Sequence, residues 1–139
     1  MDSREQYKVI GIMSGTSLDG VDLACCILRH NEAGWWYKIE KAHTVEYTSA
    51  WKTRLLAAQE LSANGLLQFH IDYGKYLGGL CQKFIVIHDI KKVDFISSHG
   101  HTLFHQPGNG LTFQLGSGAA IHAASKLPVV CDFQRRPCR

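Results

Sequence analysis

Apolar residues in the first third of the chain form three runs that predict three β-strands. The runs cover residues 7–13, 21–28 and 35–47, and each is rich in β-branched or aromatic side chains. Short segments containing Gly, Ser, Asn and Asp separate the runs and predict tight turns. Strands joined by short turns pair with their neighbours in sequence, so we expect an antiparallel meander.

The middle of the chain has a helical period. Ser49 is placed to cap a helix through residue 58, and from residue 66 to 87 apolar side chains recur every three or four positions. The second pattern predicts an amphipathic helix of about six turns at 3.6 residues per turn. Gly74 and Gly78 weaken this helix locally, but small residues also permit close packing against a neighbour.

The last third of the chain predicts strands alternating with a helix. Residues 93–97 have the pattern of a short buried strand, and the His-, Gly- and Pro-rich residues 98–110 predict a loop. Residues 111–115 predict a strand, 118–126 a helix and 127–131 a final strand. The whole pattern predicts an α/β fold with one mixed sheet, its first three strands antiparallel, and helices packed on it.

Composition narrows the class of protein. A chain of 139 residues that is 45% hydrophobic and 19% charged is typical of one globular domain. No apolar run reaches the roughly 18 residues of a membrane span, and residues 1–6 lack the hydrophobic region of a signal peptide. The net charge is only +3, and the basic residues are scattered apart from a short terminal group at Arg135, Arg136 and Arg139, which falls short of a nucleic-acid footprint. We therefore expect neither a membrane nor a nucleic acid as a partner.

The five cysteines predict neither a disulfide framework nor a zinc knuckle, because their number is odd and no C-x-x-C occurs. Cys25, Cys26 and Cys131 lie in apolar runs, where a free thiol behaves as a small hydrophobic group. Free thiols are typical of a reducing compartment, so we expect a cytoplasmic protein.

Three polar clusters, residues 13–22, 97–105 and 132–136, each follow a predicted strand. Ligands in α/β sheets bind beyond the carboxyl ends of strands, so we expect the clusters to lie together. In the first cluster, glycines let the backbone approach an anion, and N–H groups and hydroxyls can bind phosphate oxygens. Its sequence matches neither common nucleotide-binding fingerprint, and Asp-Gly is also a usual hairpin dipeptide. A phosphate site and a plain hairpin turn are equal alternatives on spacing alone.

The second cluster holds His99, His101 and His105, a spacing that admits a metal site. It contains no acidic or cysteine ligand, so hydrogen bonding to a polar substrate or to the neighbouring loop is the favoured interpretation. In the third cluster, Asp132 directly follows an apolar run and is a candidate general base, with a turn or helix cap as the alternative. Arg135 is suited to bind phosphate, or else is an exposed charge.

Three segments resemble the motifs of one known family. They read GIMSGTSLDGVD at 11–22, SHGHTLFHQP at 98–107 and VVCDFQRR at 129–136. In this order they are similar to motifs of the anhydro-N-acetylmuramic acid kinases, members of the superfamily of sugar kinases, heat-shock-protein ATPases and actin. The resemblance covers essentially the whole chain and implies a ribonuclease H-like ATPase lobe.

This resemblance also implies a reaction. Family members use ATP and Mg²⁺ to open the 1,6-anhydro ring of anhydro-N-acetylmuramic acid with water while phosphorylating O6. The product, N-acetylmuramic acid 6-phosphate, enters peptidoglycan recycling, a branch of amino-sugar metabolism. The expected partners are therefore the sugar and ATP.

The resemblance assigns roles to the candidate residues. Asp132 would activate the attacking water, and Asp19 would lie near Mg²⁺. The residues expected to bind the nucleotide are Gly15, Thr16, Ser17, Leu18, Asp19, Gly20, Val21 and Asp22. The residues expected to bind the sugar are His99, Gly100, His101, Thr102 and Arg135.

The chain departs from the family pattern in three places. His101 stands where the family commonly has Gln, and Ser117 stands where many members have Asp. After Arg136 the family continues with an acidic residue, a glycine-rich second phosphate loop and a second lobe, whereas this sequence reads Pro137-Cys138-Arg139. We expect residues 1–139 to be the N-terminal lobe of a two-lobed kinase, with the C-terminal lobe absent. Such a lobe would bind ATP weakly and be inactive alone, because phosphoryl transfer depends on positioning in a complete cleft.

Two other functions stay open. A non-catalytic fragment would bind nucleotide weakly or self-associate as a homo-oligomer through an exposed apolar surface. An unrelated hydrolase using Asp132 and His99 is the weaker alternative, since the sequence has no nucleophile elbow.

Overall fold

The computed structural model of the chain describes residues 6–133. Within this range the strands are β1 (Gln6–Ser14), β2 (Gly20–Asn31), β3 (Gly34–Glu46), β4 (Phe95–Gln106), β5 (Leu111–Leu115) and β6 (Val129–Val130). The helices are α1 (Ser49–Leu56), α2 (Ala63–Ile87) and α3 (Gly118–Ser125), and two 3₁₀ turns cover Ala58–Glu60 and Pro107–Asn109. None of the helices in this range is long and apolar enough to cross a membrane.

The strands form one mixed sheet in the order β3-β2-β1-β4-β5, with β6 also paired to β4. β1 pairs antiparallel with β2, and β2 pairs antiparallel with β3, which confirms the predicted meander. β4 runs parallel to both β1 and β6, and antiparallel to β5. The predicted α/β class and mixed sheet are thereby confirmed.

The core lies between the sheet and α2, whose buried face carries the apolar period seen in the sequence. Gly74 and Gly78 on this helix face α3. A Cβ on Gly78 would lie 2.7 Å from Cβ of Ala124, and one on Gly74 would lie 2.9 Å from Cβ of Ala120. The two glycines therefore permit the close helix packing that the sequence suggested.

Two helix starts differ from the prediction. Thr48 caps α1, because its extended backbone lets its hydroxyl accept the N–H of Trp51, and Ser49 is already inside the helix. The prediction of Ser49 as the cap was wrong by one residue. Ser62 caps α2 by accepting the N–H of Gly65 at 3.1 Å, so the helix begins three residues before its first apolar position at Leu66.

The prediction of a loop over residues 98–110 was wrong, because β4 continues to Gln106. This polar segment is held as a strand by neighbours on both sides: β1 pairs with it as far as His101, and β5 pairs with it from there onward. The final strand is conversely shorter than the predicted 127–131, since only Val129–Val130 joins the sheet.

Candidate functional site

The parallel strands β1, β4 and β6 bring the three polar clusters to one edge of the sheet. Ser14, the last residue of β1, pairs with His101 on β4. Ser97 on β4 pairs with Val130, the last residue of β6. Beyond that pair, β4 continues into the second cluster and the segment after β6 enters the third. The rings of His99 and Phe133, one from each cluster, have centroids 6.2 Å apart. The described parts of the three clusters, which end at Phe133 in the third, lie together as the sequence predicted.

Strand pairing is interrupted along one side of the middle of β4, beside this edge. β5 and β6 both lie on the side of β4 that faces away from β1. β6 ends at Val130 opposite Ser97, and β5 ends at Leu115 opposite His101, so residues 98–100 lie between the two strand ends. We call this gap at residues 98–100 the crevice, because ligands of α/β proteins bind where neighbouring strands diverge.

The first cluster is a hairpin loop that presents hydroxyls to solvent. Residues 15–19 connect β1 to β2, and the side chains of Thr16 and Ser17 are exposed at its tip. The loop is closed by the N–H of Leu18, which donates to the carbonyl of Gly15 at 3.4 Å. The hairpin and phosphate-site alternatives are therefore compatible, since this turn places two hydroxyls at the sheet edge.

Three residues expected to bind nucleotide lie on β2, beyond the loop. Gly20 is required by close approach, because a Cβ there would overlap the carbonyl of Val45. Val21 is fully buried in the core, so its side chain does not face the site. The exposed Asp22 accepts a hydrogen bond of 2.5 Å from the hydroxyl of Thr44 on β3.

Asp19 suits a magnesium ion brought by a nucleotide. Its carboxylate is exposed and has no hydrogen bond or ion pair within residues 6–133. Mg²⁺ keeps several waters and is usually held by one or two carboxylates together with substrate phosphates. In the same part of the chain, no group of three His, Cys, Asp or Glu side chains could hold a metal by itself. Asp19 is therefore a carboxylate that could contribute to a metal site only together with phosphates and water.

The three histidines of the second cluster point to different partners. Nδ1 of His99 lies 3.2 Å from the carbonyl oxygen of Gly100, and Nδ1 of His105 lies 3.1 Å from the Thr112 hydroxyl. His101 is buried, with its Nδ1 3.0 Å from Oγ of Ser14. The structure thus places His99 at the edge of the crevice and His101 behind it.

Burial also sets the charge of His101. Removal of the ring from water lowers its pKa from the ordinary value of 6.5, so the imidazole is neutral near pH 7. Its neighbour Gly100 has φ of +71°, and a Cβ there would lie 2.5 Å from the carbonyl oxygen of Leu115. Gly100 therefore lets the backbone of β4 pass close to the end of β5. The half-buried Thr102 lies two residues further along the same strand.

Asp132 lies just beyond β6 with an exposed side chain and φ of +60°. This position leaves its carboxylate at the edge where the three clusters meet. Arg135 and Arg136 lie outside the described residues, and so do Pro137-Cys138-Arg139.

Sequence reasoning missed Tyr47, Tyr73 and the role of Ser14. The Tyr47 hydroxyl lies 2.6 Å from Oγ of Ser14 and 2.5 Å from the Tyr73 hydroxyl. Burial raises the pKa of both phenols, so they stay protonated. These contacts join residues far apart in sequence, and no local pattern marks them.

A mixed sheet with this strand order, helices on its face and a hydroxyl-bearing hairpin loop at the ends of its parallel strands defines a lobe of the actin and sugar-kinase type. The profile of the family described as "Anhydro-N-acetylmuramic acid kinase" matches residues 7–138. The chain belongs to the anhydro-N-acetylmuramic acid kinase family.

Curated relatives agree with the profile. The anhydro-N-acetylmuramic acid kinase of Thiobacillus denitrificans is 31% identical over 144 residues, covering 96% of this chain and 36% of the relative. Those of Picosynechococcus sp. and Pseudoalteromonas translucida are 32% and 29% identical, each covering 92% of this chain and 35% of the relative. The chain therefore spans about a third of the length of these relatives.

Proposed function

We propose that the chain is the N-terminal lobe of an ATP-dependent kinase that opens 1,6-anhydro-N-acetylmuramic acid with water and phosphorylates O6. The product would be N-acetylmuramic acid 6-phosphate. The proposal is supported most directly by one observation: the three segments that resemble the family motifs meet at one edge of the sheet, although they are far apart in sequence. The family profile and the relatives' names support the same substrate.

In this proposal the loop of residues 15–19 binds the phosphates of ATP. Its exposed hydroxyls at Thr16 and Ser17 and its N–H groups donate to phosphate oxygens. Asp19 holds Mg²⁺ together with those phosphates. When bound, Mg²⁺ neutralises charge that develops on the phosphoryl oxygens.

Asp132 acts as the general base in the proposed reaction. Its carboxylate takes a proton from water as the water oxygen bonds to C1 of the sugar and the C1–O6 bond breaks. O6 then attacks the γ-phosphorus of ATP, and ADP leaves. His99 and Thr102 lie on β4 beside the crevice and hydrogen-bond to the sugar in this proposal. Gly100 and His101 lie on the same strand and shape this side of the sugar site. We assign Arg135 to the same sugar site from the family resemblance.

Asp132→Asn tests this role, made in a full-length kinase carrying this lobe. Turnover should fall at least about a thousandfold, while the Kd for ATP stays within about twofold, because the amide cannot accept the water proton. Steady-state kinetics with the anhydro sugar and a nucleotide titration give the two values. Asp89→Asn is the matched control, since Asp89 is exposed just beyond the end of α2. Normal turnover of Asp132→Asn would refute the assignment.

The residues described here form one wall of the proposed cleft. Phosphoryl transfer depends on groups positioned around both substrates, and nearly two thirds of each relative lies outside the aligned part. We therefore expect the 139-residue chain to bind ATP weakly and to have negligible activity alone. Product formation at the rate of a full-length relative would contradict this.

A self-associating module is the second candidate, favoured by the exposed edge strand β3. Its side chains Trp35, Tyr37 and Ile39 are 68%, 69% and 54% exposed. If two copies pair antiparallel about Ile39, Lys38 of each lies opposite Glu40 of the other. Light scattering should then show a dimer that Ile39→Lys converts to a monomer, with the exposed Val86→Lys unchanged as the control. A monomeric wild-type chain would exclude this candidate.

A further inference from the structure

Four buried polar side chains form a continuous hydrogen-bond chain behind the loop of residues 15–19. It runs from Nδ1 of His101 to Oγ of Ser14 at 3.0 Å, then to the Tyr47 hydroxyl at 2.6 Å and the Tyr73 hydroxyl at 2.5 Å. Each of the four residues is at most 5% exposed. Bulk water therefore does not compete with these bonds, and each one contributes to fixing the groups it joins.

Tyr47 holds both ends of the loop. Its hydroxyl bonds to Ser14, the residue just before the loop, and its backbone N–H donates to the carbonyl of Asp19 at 3.3 Å. Tyr47 itself is fixed, because its hydroxyl also bonds to Tyr73 on α2 and its ring stacks on Tyr76 with centroids 6.3 Å apart. One residue thus connects the loop to the most buried part of the main helix.

The positions of the hydroxyl protons indicate which group donates in each of these hydrogen bonds. If Nδ1 of His101 accepts, then Ser14 donates to His101, Tyr47 to Ser14 and Tyr73 to Tyr47. Each hydroxyl proton then has an acceptor. In the opposite direction Tyr73 would have to donate to Ser14, which also influences its pKa as a hydrogen-bond partner but is already bonded to Tyr47 and His101. The first direction gives each hydroxyl proton one of the three short contacts of the series, so it is favoured.

We propose that Tyr47 is the positioning residue of this loop and that His101 ends the hydrogen-bond chain as a neutral acceptor with its proton on Nε2. The proposal rests on the proposed function only in taking the loop to bind phosphate. The lowered pKa of the buried His101 ring agrees with the neutral form. The arrangement would hold the hydroxyls of Thr16 and Ser17 in place before nucleotide binds, so that less ordering is needed on binding.

The state of His101 is measurable in the unmodified chain by ¹⁵N NMR of its imidazole. We expect the signals of a neutral ring protonated at Nε2 and accepting at Nδ1. A ring protonated at Nδ1, or a doubly protonated ring at pH 7, would overturn the direction assigned to the chain. His101→Gln, which keeps an acceptor, should preserve the loop, whereas His101→Leu should loosen it.

Tyr47→Phe tests the positioning role, with Tyr76→Phe as the matched control. Tyr76 packs in the same aromatic cluster, but its hydroxyl is not part of the hydrogen-bond series from His101 to Tyr73. Loss of the Tyr47 hydroxyl should speed amide exchange at residues 18 and 47 about three- to tenfold, as expected for one net hydrogen bond. Tyr76→Phe should leave these rates unchanged. Equal rates in Tyr47→Phe and the wild-type chain would overturn the proposal.

A titration with MgATP separates this inference from the proposed function. If the loop binds phosphate, Tyr47→Phe should raise the Kd about three- to tenfold relative to Tyr76→Phe. An unchanged Kd would refute the positioning role. If neither the wild-type chain nor a variant binds MgATP while the exchange rates respond as expected, the proposed function fails and the structural role of Tyr47 stands.

Discussion

Side chains at this sheet edge divide into those that meet solvent and those that hold the backbone. Thr16, Ser17 and Asp19 are exposed at the loop, where a ligand can reach them. Ser14 and His101 are buried beneath it and bond to each other. Buried polar groups must keep their partners, so the second set controls how rigidly the first is presented.

His101 should make stability depend on pH. Its pKa is lowered in the folded chain by burial, so below about pH 6.5 the unfolded chain binds more protons. The free energy of unfolding should therefore be fully present above pH 6.5 and fall as the pH decreases below it. Urea unfolding from pH 7.5 to 5 should show a steeper decline in the wild-type chain than in His101→Gln, by at most about 1.4 kcal/mol per pH unit. Parallel curves would show that the folded state tolerates the charged ring.

At the scale of elements, the sequence patterns predicted β1 to β3, α2 and α3. Of these, β1, β2, α2 and α3 bury residues in the core, whereas β3 is almost wholly exposed and was recognised by its aromatic and β-branched residues. The patterns failed for β4, where the segment containing His99 and His105 is polar and is a strand only because β1 and β5 pair with it. The clusters at the sheet edge were predictable because parallel strands end together. The Tyr47 bonds were not, since its partners Ser14 and Tyr73 lie 33 and 26 residues away.

The contact between α2 and α3 predicts opposite effects for two neighbouring glycines. Gly79→Ala should stabilise the chain by about 0.5–1 kcal/mol, because nothing lies within 4 Å of the added methyl and alanine favours helix. Gly78→Ala should instead destabilise it by about 1–3 kcal/mol, because the methyl would meet Ala124 at 2.7 Å. Thermal or urea unfolding of both variants measures the difference. A stabilising Gly78→Ala would mean that α3 moves aside without cost.

At the scale of the whole molecule, three features lie at one edge of the sheet: the loop of residues 15–19, the crevice at residues 98–100 and Asp132 beyond β6. The chain spans 35–36% of the relatives from Pseudoalteromonas translucida and Thiobacillus denitrificans. In the proposed function this edge would be one wall of a larger kinase's cleft. The buried hydrogen bonds among Ser14, Tyr47, Tyr73 and His101 are what we propose to hold the loop in shape before nucleotide binds.

The most direct test of the central claim is a titration of the ¹⁵N-labelled chain with MgATP up to millimolar concentration, followed by amide chemical shifts. The largest changes should fall on residues 15–19. Asp19→Asn should weaken the Mg²⁺-dependent part of binding, while Asp89→Asn should not. Shifts absent from this loop, or concentrated at the opposite end of the sheet around Lys38 and Lys41, would contradict the account.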